Sequence, residues 1–161
     1  MLQLFSLVDV FLSAILVCLM AAIWLADKQH FISDFEYLEK QQKFIKKYYG
    51  RILVFEKVII VLTFLLSVTL FHNLYVLLFL SLATIALLSG LILSFLAMRP
   101  INKQIISWTK DYIPGKWQYL RTKWRSIHLM RTMLSIVGFL FILIAILFID
   151  PWTTSKKVTY N

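Results

Sequence analysis

Four apolar runs constrain this chain more than any other feature: residues 2–26, 52–71, 74–98 and 127–149. A hydrocarbon core about 30 Å thick is crossed by roughly 20 apolar residues in a helix. Each run meets that length. Apolar residues make up 60% of the chain and charged ones 16%, where soluble domains run near half and about a quarter. Only four Gly and three Pro interrupt 161 residues, which favours long helices. The expectation is one all-α domain, an integral membrane four-helix bundle. The first run is followed, not preceded, by Lys and Arg, so it reads as a retained span rather than a signal peptide.

The formal net charge of +9 does not point to nucleic acid, because the cations sit between the spans. Residues 27–51 carry six of them: Lys28, Lys40, Lys43, Lys46, Lys47 and Arg51. Residues 99–126 carry seven: Arg99, Lys103, Lys110, Lys116, Arg121, Lys123 and Arg125. On the other side only Lys156 and Lys157 occur. The positive-inside rule then places both connections in the cytosol of a cell membrane and both termini outside. Cys18 is the single cysteine, lies mid-span and reads as a small apolar core residue.

Ser33 and Glu36 fit a capping box, so a helix starts near Asp34. The stripe Phe35, Leu38, Gln42, Ile45, Tyr49 and Ile52 carries it past Gly50 and into the second apolar run, to about Phe71. His72-Asn73 is a tight turn. Ala83, Gly90, Ser94 and Ala97 share a face of the third span, with Gly90 and Ser94 as a small-residue pair for close helix packing. Arg99-Pro100 is expected to end that span. Ile101, Ile105, Trp108 and Tyr112 then suit a short helix lying in the interface plane. Pro114-Gly115 is a turn, and a last helix runs from about Lys116 until Asp150-Pro151 stops it. The second and fourth helices are longer than the bilayer and should extend together into the cytosol.

The last helix carries Trp117, Arg121, Trp124, His128, Arg131 and Ser135 at steps of four and three, all on one face. Ionisable groups inside a span are costly and mark candidate sites. Glu56 and Arg131 lie at similar depth, about one turn inside their spans, near the cytosolic mouth with Asp27 and His30. They form either an ion pair that locks the helices or part of a polar pocket for a small molecule or proton. Asp9 is expected as a solvated carboxylate at the outer surface, and Lys57 as a snorkelling interface residue. Trp117 and Trp124 are either interface anchors or a stacking platform. No metal-ligand spacing, phosphate loop or nucleophile elbow occurs, and no span is broken as in transporters.

The run Pro100-Ile101-Asn102, then Trp117, then Trp124 through Thr132 with His128 and Arg131, resembles the anthrone-oxygenase-like family of small four-helix membrane proteins. The specific likeness lies at 99–132. The first half departs from the Gly-rich first span and Pro-rich second start of many members. The resemblance implies a four-helix fold and, for a few members, cofactor-free oxygenation of a polycyclic anthrone. Two functions follow. In one, the chain binds or oxidises a lipophilic aromatic molecule at the cytosolic mouth. His128, Arg131 and Glu56 are then catalytic, and Trp117, Trp124, Asn102 and Arg121 bind the ligand. In the other, it is a scaffold or accessory subunit that meets a membrane protein partner or its own copies. A channel ranks behind both.

Overall fold

The computed structural model describes residues 2–27, 33–109 and 113–149. Four helices fill them: α1 Leu2–Asp27, α2 Asp34–Thr69, α3 Leu74–Ser107 and α4 Trp117–Leu147. Each contains a stretch long and apolar enough to cross a membrane. They form a sequential ring in which α1 packs on α2 and α4, and α3 packs on α2 and α4. Short connections between antiparallel neighbours give this up-and-down arrangement. Four apolar stripes close on one core containing Leu16, Met20, Ile59, Leu80, Leu87 and Ile142. The outward faces are apolar as well, with Phe11, Val58, Phe64, Ile85 and Leu140 exposed. An all-round apolar helix is what a bilayer-facing bundle requires.

At 1.5 Å per residue, α2 is roughly 54 Å long and α4 roughly 46 Å. Ser33 opens α2 as expected, its hydroxyl accepting from Glu36 N–H at 3.2 Å. Gly50 does not break it. One wide π turn, Ile45–Tyr49, lies just before that glycine. Leu38, Ile45 and Tyr49 form a second core with Met98, Ile101, Ile105, Trp124 and Ile127. Asn73 caps α3 by accepting from Tyr75 and Val76 N–H. It also donates to Phe148 O at 2.9 Å, tying the start of α3 to the end of α4.

Three expectations are corrected. Pro100 does not end the third helix, which continues to Ser107. A second π turn, Ser94–Met98, precedes it, and Arg99 N–H reaches back five residues to Ser94 O. The wide turn shifts the hydrogen-bond register just where Pro100 has no N–H to give. Residues 101–107 therefore extend α3 instead of starting a separate helix in the interface plane. Ile101 and Ile105 are buried in the second core. Gln42 caps the end of α3, its Nε2 donating to Ile105 O (2.8 Å) and Trp108 O (2.9 Å). The second correction concerns Asp9, which is fully buried rather than solvated. It shares the inward face of α1 with Ser6, Ser13, Leu16 and Met20. The third concerns Cys18, which is exposed on the outward side of α1 rather than in the core. Lys28, His30, Lys110, Tyr112, the Asp150-Pro151 stop, Lys156 and Lys157 lie outside the described residues.

Candidate functional site

The stripe on α4 faces inward along its whole length. Trp117, Trp124, His128, Arg131 and Ser135 are buried, and Gly138, Ile142 and Ala145 continue the face. Arg131 Nη2 donates to Glu56 Oε2 at 2.9 Å, with both side chains almost wholly out of contact with solvent. Arg131 Nη1 also lies 3.3 Å from Met98 Sδ. Gly90 makes room for this pair: a Cβ there would stand 3.2 Å from Glu56 Oε1. The small residue expected to ease helix packing thus accommodates a carboxylate. The close helix approach lies further along, where a Cβ on Gly138 would meet Leu87 Cγ at 3.0 Å.

One turn before Arg131, His128 Nε2 lies 3.1 Å from Met20 O. A carbonyl only accepts, so Nε2 carries a proton, and in the neutral ring Nδ1 then presents its lone pair. Trp124 stacks on the His128 ring, centroids 5.2 Å apart and 16° from parallel. Its indole N–H donates to Asn102 Oδ1 at 3.0 Å, and Phe44 meets it edge-on. Tyr49, on the π turn of α2, donates its hydroxyl to Ser94 O at 3.0 Å, on the π turn of α3. The two wide turns are thereby joined beside the ion pair.

Glu56, Arg131, His128, Trp124 and Asn102 thus come together. Among the described residues, four of their buried polar atoms have no hydrogen-bond partner: Glu56 Oε1, Asn102 Nδ2, His128 Nδ1 and Arg131 Nε. Buried polar atoms are normally satisfied, and these four gather around the ion pair.

Trp117 and Arg121 belong to a separate group further along α4. The Arg121 guanidinium lies over the Tyr37 ring at 4.1 Å and near Trp117 at 6.0 Å. Its Nη2 donates to Asp27 O at 3.4 Å. Trp117 itself packs against Tyr37, centroids 5.8 Å apart. Arg125 Nε lies 4.0 Å from Asp27 Oδ2. Burial raises the Tyr37 hydroxyl well above the usual phenol range, so it stays protonated. The two tryptophans therefore do not make one stacking platform. They are separated by two helical turns, about 10.5 Å along the axis.

Between the two groups lies a cavity of about 180 Å³, with Ile23, Asp27, Tyr37, Gln41, Phe44 and Trp124 in its walls. Trp124 connects it to the polar centre by stacking on His128. The α4 spacing identified Trp124. Tyr37 and Gln41 escaped the sequence reading because their inward face is set by the pairing of α2 with its neighbours. Met20 and Met98 contribute a carbonyl and a sulfur, which leave no signal in a sequence.

A ring of four membrane-length helices around a buried ion pair defines a small multi-pass membrane protein. Within that class, the family model described as anthrone oxygenase matches residues 44–141, more than half of the chain, and the protein belongs to that family. The matched stretch contains Glu56, Asn102, Trp117, Trp124, His128 and Arg131. No curated protein and no solved structure matches the chain.

Proposed function

We propose that this protein binds a lipophilic aromatic molecule in the cavity under Trp124 and oxidises it with dioxygen. The observation that carries the reading is the cavity itself, together with the unsatisfied polar centre one side chain away. An engineered apolar cavity of about 150 Å³ takes up benzene, so about 180 Å³ admits one or two rings of a larger aromatic. Ile23, Phe44 and Trp124 supply apolar and π surface, while Tyr37 and Gln41 supply hydrogen bonds.

The family's name adds the chemistry. An anthrone carries a methylene flanked by two aromatic rings, and its conversion to a quinone replaces two hydrogens by one oxygen. One dioxygen is consumed and one water leaves, so the balance needs no separate reductant. With Trp124 swung aside from the His128 ring, His128 Nδ1 would accept the first methylene proton, and Arg131 would hold the oxyanion of the resulting enolate. Glu56 would orient Arg131, Asn102 would orient Trp124, and Trp117 with Arg121 would close the outer wall through Tyr37. Both termini would face away from the cytosol, placing the cavity at the cytosolic mouth.

The test is native mass spectrometry in mild detergent with added anthrone, followed by absorption of the product under air. Wild type should hold anthrone and form anthraquinone. Trp124→Ala should lose the adduct, and His128→Ala should retain it while losing conversion. Neither adduct nor conversion in folded wild type would reject the reading.

A further inference from the structure

At the far end of the bundle from that cavity, Asp9 is fully buried on α1. Its two carboxyl oxygens each lie 3.1 Å from Thr63 Oγ1 on α2. The same Thr63 Oγ1 lies 2.9 Å from Ile59 O. A threonine hydroxyl has one proton, and a carbonyl can only accept. If that proton goes to Ile59 O, the Asp9–Thr63 contact needs a hydrogen from Asp9. If instead it goes to Asp9, an ionised carboxylate would rest on one neutral hydroxyl inside a bilayer. That arrangement is strongly disfavoured, because a buried anion requires a paired charge or several donors.

We infer that Asp9 and Thr63 form an intramembrane proton-binding site: Asp9 holds a proton and donates it to Thr63, which donates to Ile59 O. The elements packed against α1 here are α2 and α4. On α2 the nearest titratable groups are Lys57, which is exposed and lies with its Nζ over the Phe95 ring, and, seven residues from Thr63 or about 10.5 Å along the axis, Glu56. It is already paired with Arg131 of α4. Beyond Arg131, the inward face of α4 carries Ser135, Gly138, Ile142 and Ala145, none of which titrates. Among the described residues no cation forms an ion pair with Asp9. Ser6 and Ser13 flank it one turn away on the same buried face. Ser13 Oγ is itself buried without a partner among the described residues, an acceptor and donor available for passing the proton. This site shares no residue with the Trp124 cavity and stands or falls separately from it.

The test is infrared spectroscopy of the protein in lipid vesicles at neutral pH, wild type against Asp9→Asn. The difference should contain the C=O stretch of a protonated carboxylic acid. Carboxylate bands in its place would overturn the inference. A second measurement needs no variant. Dicyclohexylcarbodiimide, which reacts with protonated carboxyls in apolar surroundings, should modify Asp9 as located by peptide mass spectrometry. Labelling should fall about tenfold per pH unit beyond its midpoint, as one bound proton requires. Thr63→Val removes the one hydrogen bond that the ionised form would keep among the described residues, so labelling should persist to higher pH. Labelling indifferent to pH, or blocked by sodium at constant pH, would reject a proton site.

Discussion

Breaking the Glu56–Arg131 pair tests the centre of the bundle most directly. The two groups meet at 2.9 Å with side-chain exposures of 0% and 2%. At an effective dielectric of about 20, unit charges near 3 Å attract by roughly 5–6 kcal/mol before desolvation is counted. Removing one partner strands the other in the bilayer interior, where breaking a buried pair costs about 3–5 kcal/mol. Glu56→Gln and Arg131→Met should each destabilise by that amount. The double substitution should recover most of the loss, since replacing both charges with neutral groups is often close to neutral. The assay is reversible unfolding in mixed micelles, read as a double-mutant cycle. Neutral hydrogen bonds between membrane helices couple by only about 0.6 kcal/mol on average, so a buried ion pair should stand well above that. Single variants as stable as wild type, with coupling below about 0.5 kcal/mol, would refute the pair as a determinant of packing.

Gly90→Ala should weaken the same centre, because its Cβ would press on Glu56 Oε1 at 3.2 Å; a melting temperature equal to that of wild type would refute the crowding. Gly138→Leu should cost about 1–3 kcal/mol by overpacking α4 against α3, since even a Cβ meets Leu87 at 3.0 Å; unfolding in micelles measures it. Gln42→Leu removes both side-chain caps at the end of α3; Ile105 O keeps its bond from Trp108 N–H, so the expected cost is about 1–3 kcal/mol for the one carbonyl, Trp108 O, that loses its cap. Its first sign should be faster amide exchange at residues 104–108. Trp124→Phe keeps the stack on His128 but strands Asn102 Oδ1. It should cost less than Trp124→Ala, for which about 3–5 kcal/mol is expected.

The sequence alone determined the class of this protein. Run length and apolar content dictate membrane helices, because a predominantly apolar 20-residue segment in a bilayer must satisfy its backbone polar groups within itself. The 3–4 spacing on α4 likewise put Trp124, His128 and Arg131 on one face before any partner was known. Tertiary structure decided what those faces meet. Whether Glu56 reaches Arg131 depends on the rotation and relative height of two helices, which periodicity does not encode. Asp9 shows the limit well. Near the start of an apolar run, a carboxylate at the surface and a carboxyl facing another helix look identical, and only the position of Thr63 across the bundle separates them. Pro100 shows it from the other side: the local rule that ends a helix before proline was overridden by a π turn. That turn is held by Tyr49, from a helix 45 residues away in sequence. Local chemistry sets which residues must hide from lipid, and the packing of the ring sets which of them hide together.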